Sequence, residues 1–406
     1  MRDVAIVGAG MTRFGKFLER SMKDLAREAV QAALKSAGVE QQALQAAVVG
    51  NAMAGLVTGQ ECIRGQVVLR DMGIGGIPIV NTENACASSS TAFHLAWLYI
   101  ASGMYDVVLA LGMEKLYHED KTVSFKAIGS AVDVEFVQQI MAAMKASKSS
   151  SQGKPGEPGK SRSMFMDFYA MFARAHMEKY GTTKEQFAKI AVKNHYNGSL
   201  NPHAQYQHAC SLEEVLASPV VAEPLTRLMC SPIGDGAAAV ILTAADRAAR
   251  YTAKPVHVRA SVLVSGEDPE PDKPGITTRA ARKAYEMAGI GPRDINVAEV
   301  HDASAPAELV ICEELEFCQP GEGGKLIDDG VTTITGRLPV NPSGGLLSKG
   351  HPVGATGVAQ ISEIFWQLRG EAGKRQVANA KVGLTENGGG MVRNEAAALS
   401  VHILSL

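Results

Sequence analysis

Cys86 stands where a strand-like run ends and an apolar helix with a small-residue start begins, in the stretch NTENACASSSTAFHLAW. A thiol at a helix N-terminus faces the positive end of the helix dipole and unpaired backbone N–H groups, which lower its pKa and favour the thiolate. The same N–H groups can hold the oxyanion that forms after attack on a carbonyl group. The pattern favours a nucleophilic cysteine; a buried structural cysteine is the alternative.

Two histidines could supply the base that a nucleophilic thiol needs. His351 lies between Gly350 and Pro352 in SKGHPVGATG, where a second helix with small residues begins. His301 follows a short apolar strand in EVHDAS, and the ends of parallel strands are where sites form. We expect an internal twofold axis to bring the helix starts of Cys86 and His351 together.

A carboxyl group beside a triple-glycine turn completes the set. Glu386 precedes Gly388, Gly389 and Gly390 in LTENGGGMV. A carboxyl group in a partly dry site has a raised pKa and can shuttle protons, and the glycines permit close backbone approach. The alternatives are that Glu386 only anchors the loop and that water or His301 moves the proton.

The elements that must position these groups repeat along the chain. Short apolar strands alternate with amphipathic helices, which predicts an α/β protein with mainly buried strands. The stretch LAREAVQAALKSAGVEQQALQAAVVGNA lines up with TTRAARKAYEMAGIGPRDINVAEVHDA, so the second half repeats the first. We predict halves at 1–250 and 251–406, with an insert at about 116–207. A general likeness between any two α/β units is the alternative.

Composition narrows the functional class. A net charge of -2 over 406 residues provides no overall positive potential that would attract nucleic acid. No apolar run is long enough to cross a bilayer, and no signal peptide is visible, so we expect a cytoplasmic protein with no membrane partner. None of the six cysteines forms a CxxC pair, which argues against a structural metal site.

The insert contains a flexible-looking segment, KASKSSSQGKPGEPGKSRS. Glycine, serine and proline predict a surface excursion. A solvated surface is one interpretation of its basic residues, and a phosphate-rich ligand or a partner protein is the other. These residues are Lys145, Lys148, Lys154, Lys160 and Arg162.

The motifs resemble those of the thiolase family over essentially the whole chain. NTENACASSS resembles the nucleophile motif, GHPVGATG the histidine motif, and SPIGDGAAAVIL the segment that closes the first half. HDAS and ENGGG resemble the sterol-carrier-protein type. The resemblance implies the thiolase fold: two homologous halves in a layered αβαβα arrangement, an inserted loop domain, and a homodimer core.

The resemblance also implies roles for individual residues. Cys86 would be acylated, His351 would take its proton, and His301 would hold the enolate in an oxyanion hole. The backbone N–H groups of Cys86 and Gly389 would hold the acyl oxyanion. Coenzyme A would be a substrate, with no permanently bound cofactor and no metal. The residues that would bind CoA or substrate are His176, Met177, Ser231 and Ser343, and the apolar candidates for the acyl pocket are Met164, Phe165, Met166, Phe168 and Met177.

One departure concerns the second catalytic cysteine of ordinary thiolases. Bacterial biosynthetic types carry it in a Cys-x-Gly motif, where this chain has Glu386. Sterol-carrier types carry it in a His-Asp-Cys motif, where this chain has Ala303. Glu386 is therefore the candidate acid/base.

The TENACAS and HDAS forms resemble thiolases that work with a small zinc-ribbon/OB-fold subunit, which implies a heterotetramer. Among these the chain resembles the thiolase subunit of anaerobic toluene degradation, which cleaves benzoylsuccinyl-CoA to benzoyl-CoA and succinyl-CoA. Two alternatives stay open: a thiolase-like retro-aldolase acting on CoA esters of steroid side chains, and a non-catalytic lipid-transfer protein.

Overall fold

The computed structural model describes residues 1–139, 163–268, 270, 273–393 and 395–406. The lysine-rich run predicted to form a surface excursion lies outside the described residues. None of the described helices is both long and apolar enough to cross a membrane.

The strands fall into one large sheet and one small ribbon. Their bounds are β1 (Val4–Met11), β2 (Ala46–Gly50), β3 (Ile79–Thr82), β4 (Val107–Glu114), β5 (Val220–Ala222), β6 (Leu225–Thr226), β7 (Gly236–Ala244), β8 (Val256–Ser265), β9 (Val297–Glu299), β10 (Val382–Gly389) and β11 (Ala398–Ser405). The large sheet has the order β3-β2-β4-β7-β1-β8-β11-β10-β9, and β5 pairs with β6.

Helices connect and cover the strands. Their bounds are α1 (Met22–Ala37), α2 (Ala54–Thr58), α3 (Arg64–Asp71), α4 (Ser88–Ala101), α5 (Lys121–Ile128), α6 (Met164–Tyr180), α7 (Lys184–Ser199), α8 (Leu212–Ala217), α9 (Ile276–Ala288), α10 (Ala305–Glu314), α11 (Gly323–Asp328), α12 (Gly345–Ser348) and α13 (Thr356–Arg369). Local signals set several ends: Ser21 and Asp24 form a capping box before α1, and Gly38 closes it in the left-handed conformation.

The two halves of the chain have the same topology. From the centre of the sheet outward, β1-β7-β4-β2-β3 in the first half corresponds to β8-β11-β10-β9 in the second. A parallel bridge between Ala298 and Val340 stands where the β2–β3 pairing stands in the first half. The fold class predicted from the repeat is confirmed; the boundaries at residue 250 and at 116–207 stay predictions.

Alternating burial produces five layers. One face of the first half-sheet, with Ile6 and Val108, packs with α4 and α13 in a cluster that also contains Val297 of the second half. The opposite face packs against α1 and α3. In the second half, α9 and α10 cover the outer face. The central helices α4 and α13 are therefore buried between the half-sheets, and each carries a candidate residue at its N-terminus.

The inserted helices lie over the second half. Phe187 and Ile190 of α7 pack with Leu309 of α10, Ile327 of α11 and Leu347 of α12 in one buried cluster. This contact fixes α6 and α7 beside the segment that carries His301.

Candidate active site

Cys86 lies in a tight turn between β3 and α4. The turn spans Ala85–Ala87, and Ala85 has a φ of 46°, which costs backbone strain for a residue with a Cβ. Side chains hold the turn: the Ser88 hydroxyl donates to the Ala85 carbonyl at 2.6 Å, and the Glu83 carboxylate accepts from the Ala85 N–H at 2.6 Å. The sulfur is thereby presented at the start of α4 in one orientation.

His351 lies in the corresponding turn before α13. Gly350 has a φ of 105°, which excludes most other residues, and Pro352 fixes the next φ. The buried Glu114 at the end of β4 accepts from the Gly354 N–H at 2.8 Å and from the Met53 N–H at 3.1 Å. This carboxylate ties the first half-sheet to the turn that carries His351.

The two helix starts meet, as the predicted internal symmetry requires. A Cβ added at Gly357 of α13 would lie 2.5 Å from the backbone nitrogen of Ser90 in α4, so only glycine allows this approach. Nε2 of His351 lies 3.3 Å from Sγ of Cys86. The thiol and the imidazole are thus in direct contact.

A hydroxyl group sets the tautomer of His351. Thr356 Oγ1 lies 2.7 Å from His351 Nδ1 and donates its proton to the Pro352 carbonyl at 3.0 Å. A hydroxyl has one proton, so Thr356 accepts from Nδ1–H. The neutral ring then has an unprotonated Nε2 that faces the Cys86 thiol and can accept its proton.

The predicted thiolate is wrong for the resting site. Burial raises the pKa of the Cys86 thiol to about 12, with a smaller upward contribution from the charge of Glu114, while the N–H groups of Gly390 and Cys86 oppose the shift. Desolvation outweighs the helix terminus because the site is dry. Burial also lowers the pKa of His351 well below its usual value. The resting pair is a neutral thiol beside a neutral imidazole, and attack requires proton transfer.

His301 lies beside this pair. Its ring meets that of His351 edge-on, with 5.0 Å between centroids. Burial lowers its pKa to about 4, so the ring is neutral. The next residue, Asp302, accepts from the Leu346 N–H at 2.6 Å and from Asn194 Nδ2 at 2.8 Å, which fixes the loop.

Glu386 completes the cluster. Its Oε2 accepts the backbone N–H of His301 at 2.9 Å, and the carboxyl group is 1% exposed. Burial raises its pKa to about 8, with a smaller upward contribution from Glu314, while the His301 N–H opposes the rise. Both protonation states are therefore accessible near neutral pH, as an acid/base requires.

The glycine turn brings backbone donors to the sulfur. The N–H of Gly390 reaches the Cys86 sulfur, together with the N–H of Cys86 itself. Gly389 packs against the first turn, where an added Cβ would lie 2.1 Å from the Asn84 carbonyl oxygen. The structure thus puts Gly390 at the sulfur, and the oxyanion role of Gly389 stays a prediction.

All four side chains line one cavity of about 900 Å³. Ser231 lies in its wall and donates its backbone N–H to the Ala303 carbonyl at 3.0 Å. Of the apolar residues predicted to line the pocket, Phe165, Met166 and Phe168 do so. Aromatic wall residues that sequence reasoning missed include Phe125, Tyr169 and Phe172. The spacing of 165, 168, 169 and 172 on one face of α6 is the signal that could have found the last two.

Several residues predicted to bind CoA or to line the acyl pocket contact other protein groups. His176 lies in the cavity wall, and its ring nitrogens contact Thr182 at 2.8 Å and Glu313 at 3.2 Å. Met164 and Met177 do not line the cavity, since α6 turns them away from it; Met177 packs against the α7 cluster instead. Ser343 also lies outside the wall, because it is fully buried and donates to Glu299 at 2.7 Å. These three lining assignments are wrong.

The thiol and one nitrogen of each imidazole lie within 4.8 Å of one another in the group Cys86, His301 and His351. Such a group could hold a zinc ion. That no metal is resident stays a prediction.

Comparison with known proteins decides the family. The thiolase N-terminal domain matches residues 4–246, and the thiolase C-terminal domain-like family matches residues 269–403. The chain belongs to the thiolase family. Thiolases are acyltransferases, so the enzyme class predicted from the sequence is confirmed.

Relatives among thiolases and thiolase-like proteins cover 95% or more of the chain. An acetyl-CoA acetyltransferase of Methanothermobacter thermautotrophicus is 44% identical over 410 residues, covering 100% of both chains. Human sterol carrier protein 2 is 39% identical, covering 95% of this chain and 70% of its own. The benzoylsuccinyl-CoA thiolase subunit BbsB of Thauera aromatica is 37% identical, covering 97% of this chain and 96% of its own.

A solved structure is also similar. The Ltp2-ChsH2(DUF35) aldolase superposes with a TM-score of 0.79 at 26% identity, covering 99% of this chain and 97% of that chain. The resemblance to the sterol-carrier-protein type of thiolase is confirmed by these relatives.

Proposed function

We propose that the chain cleaves a 3-oxoacyl-CoA by thiolysis through an acyl-enzyme on Cys86, or runs the reverse condensation. The observation that carries the proposal is the 3.3 Å contact between the Cys86 sulfur and His351 Nε2 in the wall of a 900 Å³ cavity. Membership in the thiolase family supports it.

In the first half-reaction, Cys86 Sγ attacks the 3-keto carbon while its proton passes to His351 Nε2. The N–H groups of Cys86 and the glycine turn stabilise the oxyanion. The bond between C2 and C3 then breaks, and its electron pair forms the enolate of the departing acyl-CoA. His301 holds the enolate oxygen, and the protonated Glu386 carboxyl delivers a proton to C2.

In the second half-reaction, coenzyme A attacks the thioester on Cys86. The CoA thiol gives its proton to the Glu386 carboxylate, and the departing Cys86 sulfur recovers its proton from His351. Both groups return to their starting protonation states, so the cycle balances with CoA as the only additional reactant.

The cavity wall supports CoA as the ligand. Six cations line it, and two of these, Lys273 and Arg279, pair with glutamates. The other four are Lys16, Lys121, Lys179 and Arg227. None of these four pairs with a carboxylate among the described residues, so their charges are available to the phosphates of CoA. Ser231 and His176, in the same wall, are proposed contacts of the pantetheine arm.

Within the class of 3-oxoacyl-CoA substrates, we propose an aromatic one such as benzoylsuccinyl-CoA. The relative BbsB supports this assignment, as do the aromatic side chains of Phe125, Phe165 and Phe168 in the wall. Aromatic rings pack against one another favourably, in offset or edge-to-face geometry.

We further propose a cytoplasmic homodimer core that binds a small zinc-ribbon/OB-fold subunit. The similar structure is a complex of Ltp2 with the DUF35 protein ChsH2, which supports a partner of that kind. Co-purification from the native cell followed by light scattering tests the assembly. A lone homodimer of full activity would contradict the need for a second subunit.

The function is tested by intact mass after mixing the protein with acetoacetyl-CoA or 2-benzoylsuccinyl-CoA without free CoA. We expect an acetyl or benzoyl adduct that maps to Cys86, disappears when CoA is added, and is absent in Cys86→Ala. Preference for the benzoyl compound by kcat/KM supports the aromatic assignment. Absence of any adduct contradicts the thiolase mechanism.

A second candidate is a retro-aldolase, favoured by the similarity to the Ltp2-ChsH2(DUF35) aldolase. Such an enzyme would release a ketone or aldehyde from a 3-hydroxyacyl-CoA, and Cys86→Ala would keep that activity. The contact of Cys86 with His351 favours the thiolase instead. A lipid-transfer protein, the third alternative, would leave Cys86 unacylated.

A further inference from the structure

Asn387 connects the start of α4 with the ring of His301. Its Nδ2 lies 2.9 Å from His301 Nδ1, and its Oδ1 accepts the Ser90 hydroxyl at 2.7 Å. The same hydroxyl also lies 3.0 Å from the Ala87 carbonyl oxygen. Asn387 is 1% exposed. Because the amide oxygen of Asn387 accepts the hydrogen bond from Ser90, the amide NH2 group is the part of the side chain that faces His301.

This contact has a consequence for the imidazole. An amide NH2 group only donates, so Nδ1 of His301 must be the unprotonated nitrogen. A neutral imidazole carries its single proton on the other nitrogen. The Nε2 of His301 is therefore an N–H donor, and His301 lies in the cavity wall.

The neighbouring His351 has the opposite tautomer. Its Nδ1–H donates to the Thr356 hydroxyl, and its Nε2, which faces Cys86, is unprotonated. Two neutral rings 5.0 Å apart thus differ in what they offer the substrate, one an acceptor and the other a donor. The difference comes from their Nδ1 partners, a hydroxyl acceptor and an amide donor.

We propose that Asn387 is a positioning residue that holds His301 in the Nε2–H tautomer, so that this ring donates to the enolate oxygen and does not compete with His351 for the thiol proton. The proposal rests on the thiolase mechanism above. Ser90 assists by orienting the amide.

Asn387→Asp is the sharpest test, because it exchanges the amide donor for an acceptor of the same shape. The carboxylate accepts from Nδ1–H, which leaves Nε2 bare whenever His301 is neutral. The new negative charge also raises the pKa of His301. At low pH the doubly protonated ring again carries Nε2–H, so the defect should grow as pH rises. Asn387→Leu, the matched control, removes the donor without adding charge and should show a smaller, pH-independent defect.

Two readouts are measured on the full-length protein. Nitrogen-15 NMR of labelled histidine, with His301→Gln for assignment, reports the tautomer without any substrate. Deuterium uptake at the α-carbon of acetyl-CoA in heavy water reports enolate stabilisation. We expect a protonated Nε2 in the wild type, a protonated Nδ1 in Asn387→Asp at high pH, and deuterium uptake about 100-fold slower there, the usual effect of losing one oxyanion donor.

The outcomes separate the two proposals. A wild type that takes up no deuterium and forms no acyl adduct overturns the thiolase mechanism, while its NMR spectrum still reports the tautomer. A protonated Nδ1 in the wild-type spectrum overturns the role of Asn387. So does an Asn387→Asp variant whose uptake matches the wild type at high pH, or whose defect is as pH-independent as that of Asn387→Leu.

Discussion

The sulfur of Cys86 and Nε2 of His351 lie 3.3 Å apart, although 265 residues separate them in the chain. Each side chain stands one turn before a central helix, and the two helices belong to different halves of the fold. The contact joins a thiol with a pKa raised to about 12 to a ring that is neutral. The nucleophile is therefore generated only as the proton moves.

Alkylation of Cys86 by iodoacetamide should be slow at pH 7 and should rise through pH 10 without a plateau. The reason is the raised pKa, which keeps the thiolate fraction small in this range. Peptide mass spectrometry over a pH series measures the rate, with the exposed Cys62 as internal reference. A plateau for Cys86 below pH 8 would indicate a resting thiolate.

Glu386→Gln should slow C–C cleavage by about 100-fold and acyl-enzyme formation from a simple acyl-CoA much less. The reason is that a CoA thiolate can leave without a proton, whereas the enolate must receive one at C2. In the wild type, cleavage needs the protonated carboxyl and should fall as pH rises through about 8. α-Proton removal in the condensation direction needs the carboxylate and should rise over the same range. Stopped-flow kinetics separates the steps; equal losses in both steps would discard the role.

The stability of Glu386→Gln should differ from that of the wild type in a pH-dependent way. The folded pKa of Glu386 is raised above its unfolded value, so its ionisation weakens the folded state as pH increases toward about 8. Glutamine removes that effect. The melting temperature of the variant relative to the wild type should therefore increase from pH 5 to pH 9. A constant difference would mean that Glu386 is already ionised at low pH.

Thr356→Val should lower acyl-enzyme formation by roughly 10- to 100-fold, because His351 Nδ1 loses the acceptor that keeps Nε2 free. Thr356→Ser keeps the hydroxyl and should retain most of the activity. Rapid-quench mass spectrometry with acetoacetyl-CoA measures the burst. If serine and valine behave alike, the hydroxyl has no part in proton transfer.

Lys349→Met should destabilise the fold by about 3–5 kcal/mol, because Glu299 would keep a buried carboxylate without its partner. The two groups are 3.2 Å apart and fully buried. Urea denaturation measures the change, with the exposed pair of Lys325 and Asp329 as control. Lys325→Met should change the free energy of unfolding little. An equally small change for Lys349→Met would show that Glu299 is held protonated.

The main features of the fold and the site could be predicted from the sequence because they have local signals. Strand–helix alternation and the internal repeat predict the layers. Small residues beside Cys86 and the glycine before His351 mark the tight turns. Phe165 and Phe168 line the cavity as predicted. Glu386 could be singled out because a carboxyl group stands where a thiol is expected.

Other features depend on long-range packing that no short motif encodes. The charge state of Cys86 was wrong because local reasoning counts the helix terminus but not the desolvation caused by distant segments. Ser343 is bound by Glu299, a partner 44 residues earlier in the chain. The orientation of Asn387 depends on Ser90, 297 residues away. The rotation of α6, which turns Met177 away from the cavity, depends on contacts with α7.

The close approach of α4 and α13 at Gly357 implies that the reactivity of this enzyme depends on the absence of a side chain at this position. One added methyl group would push α4 and α13 apart. The distance between Cys86 and His351 could therefore be increased without altering either reacting group. An alanine there should lengthen the distance between the Cys86 sulfur and His351 Nε2, which makes position 357 a place to separate substrate binding from turnover.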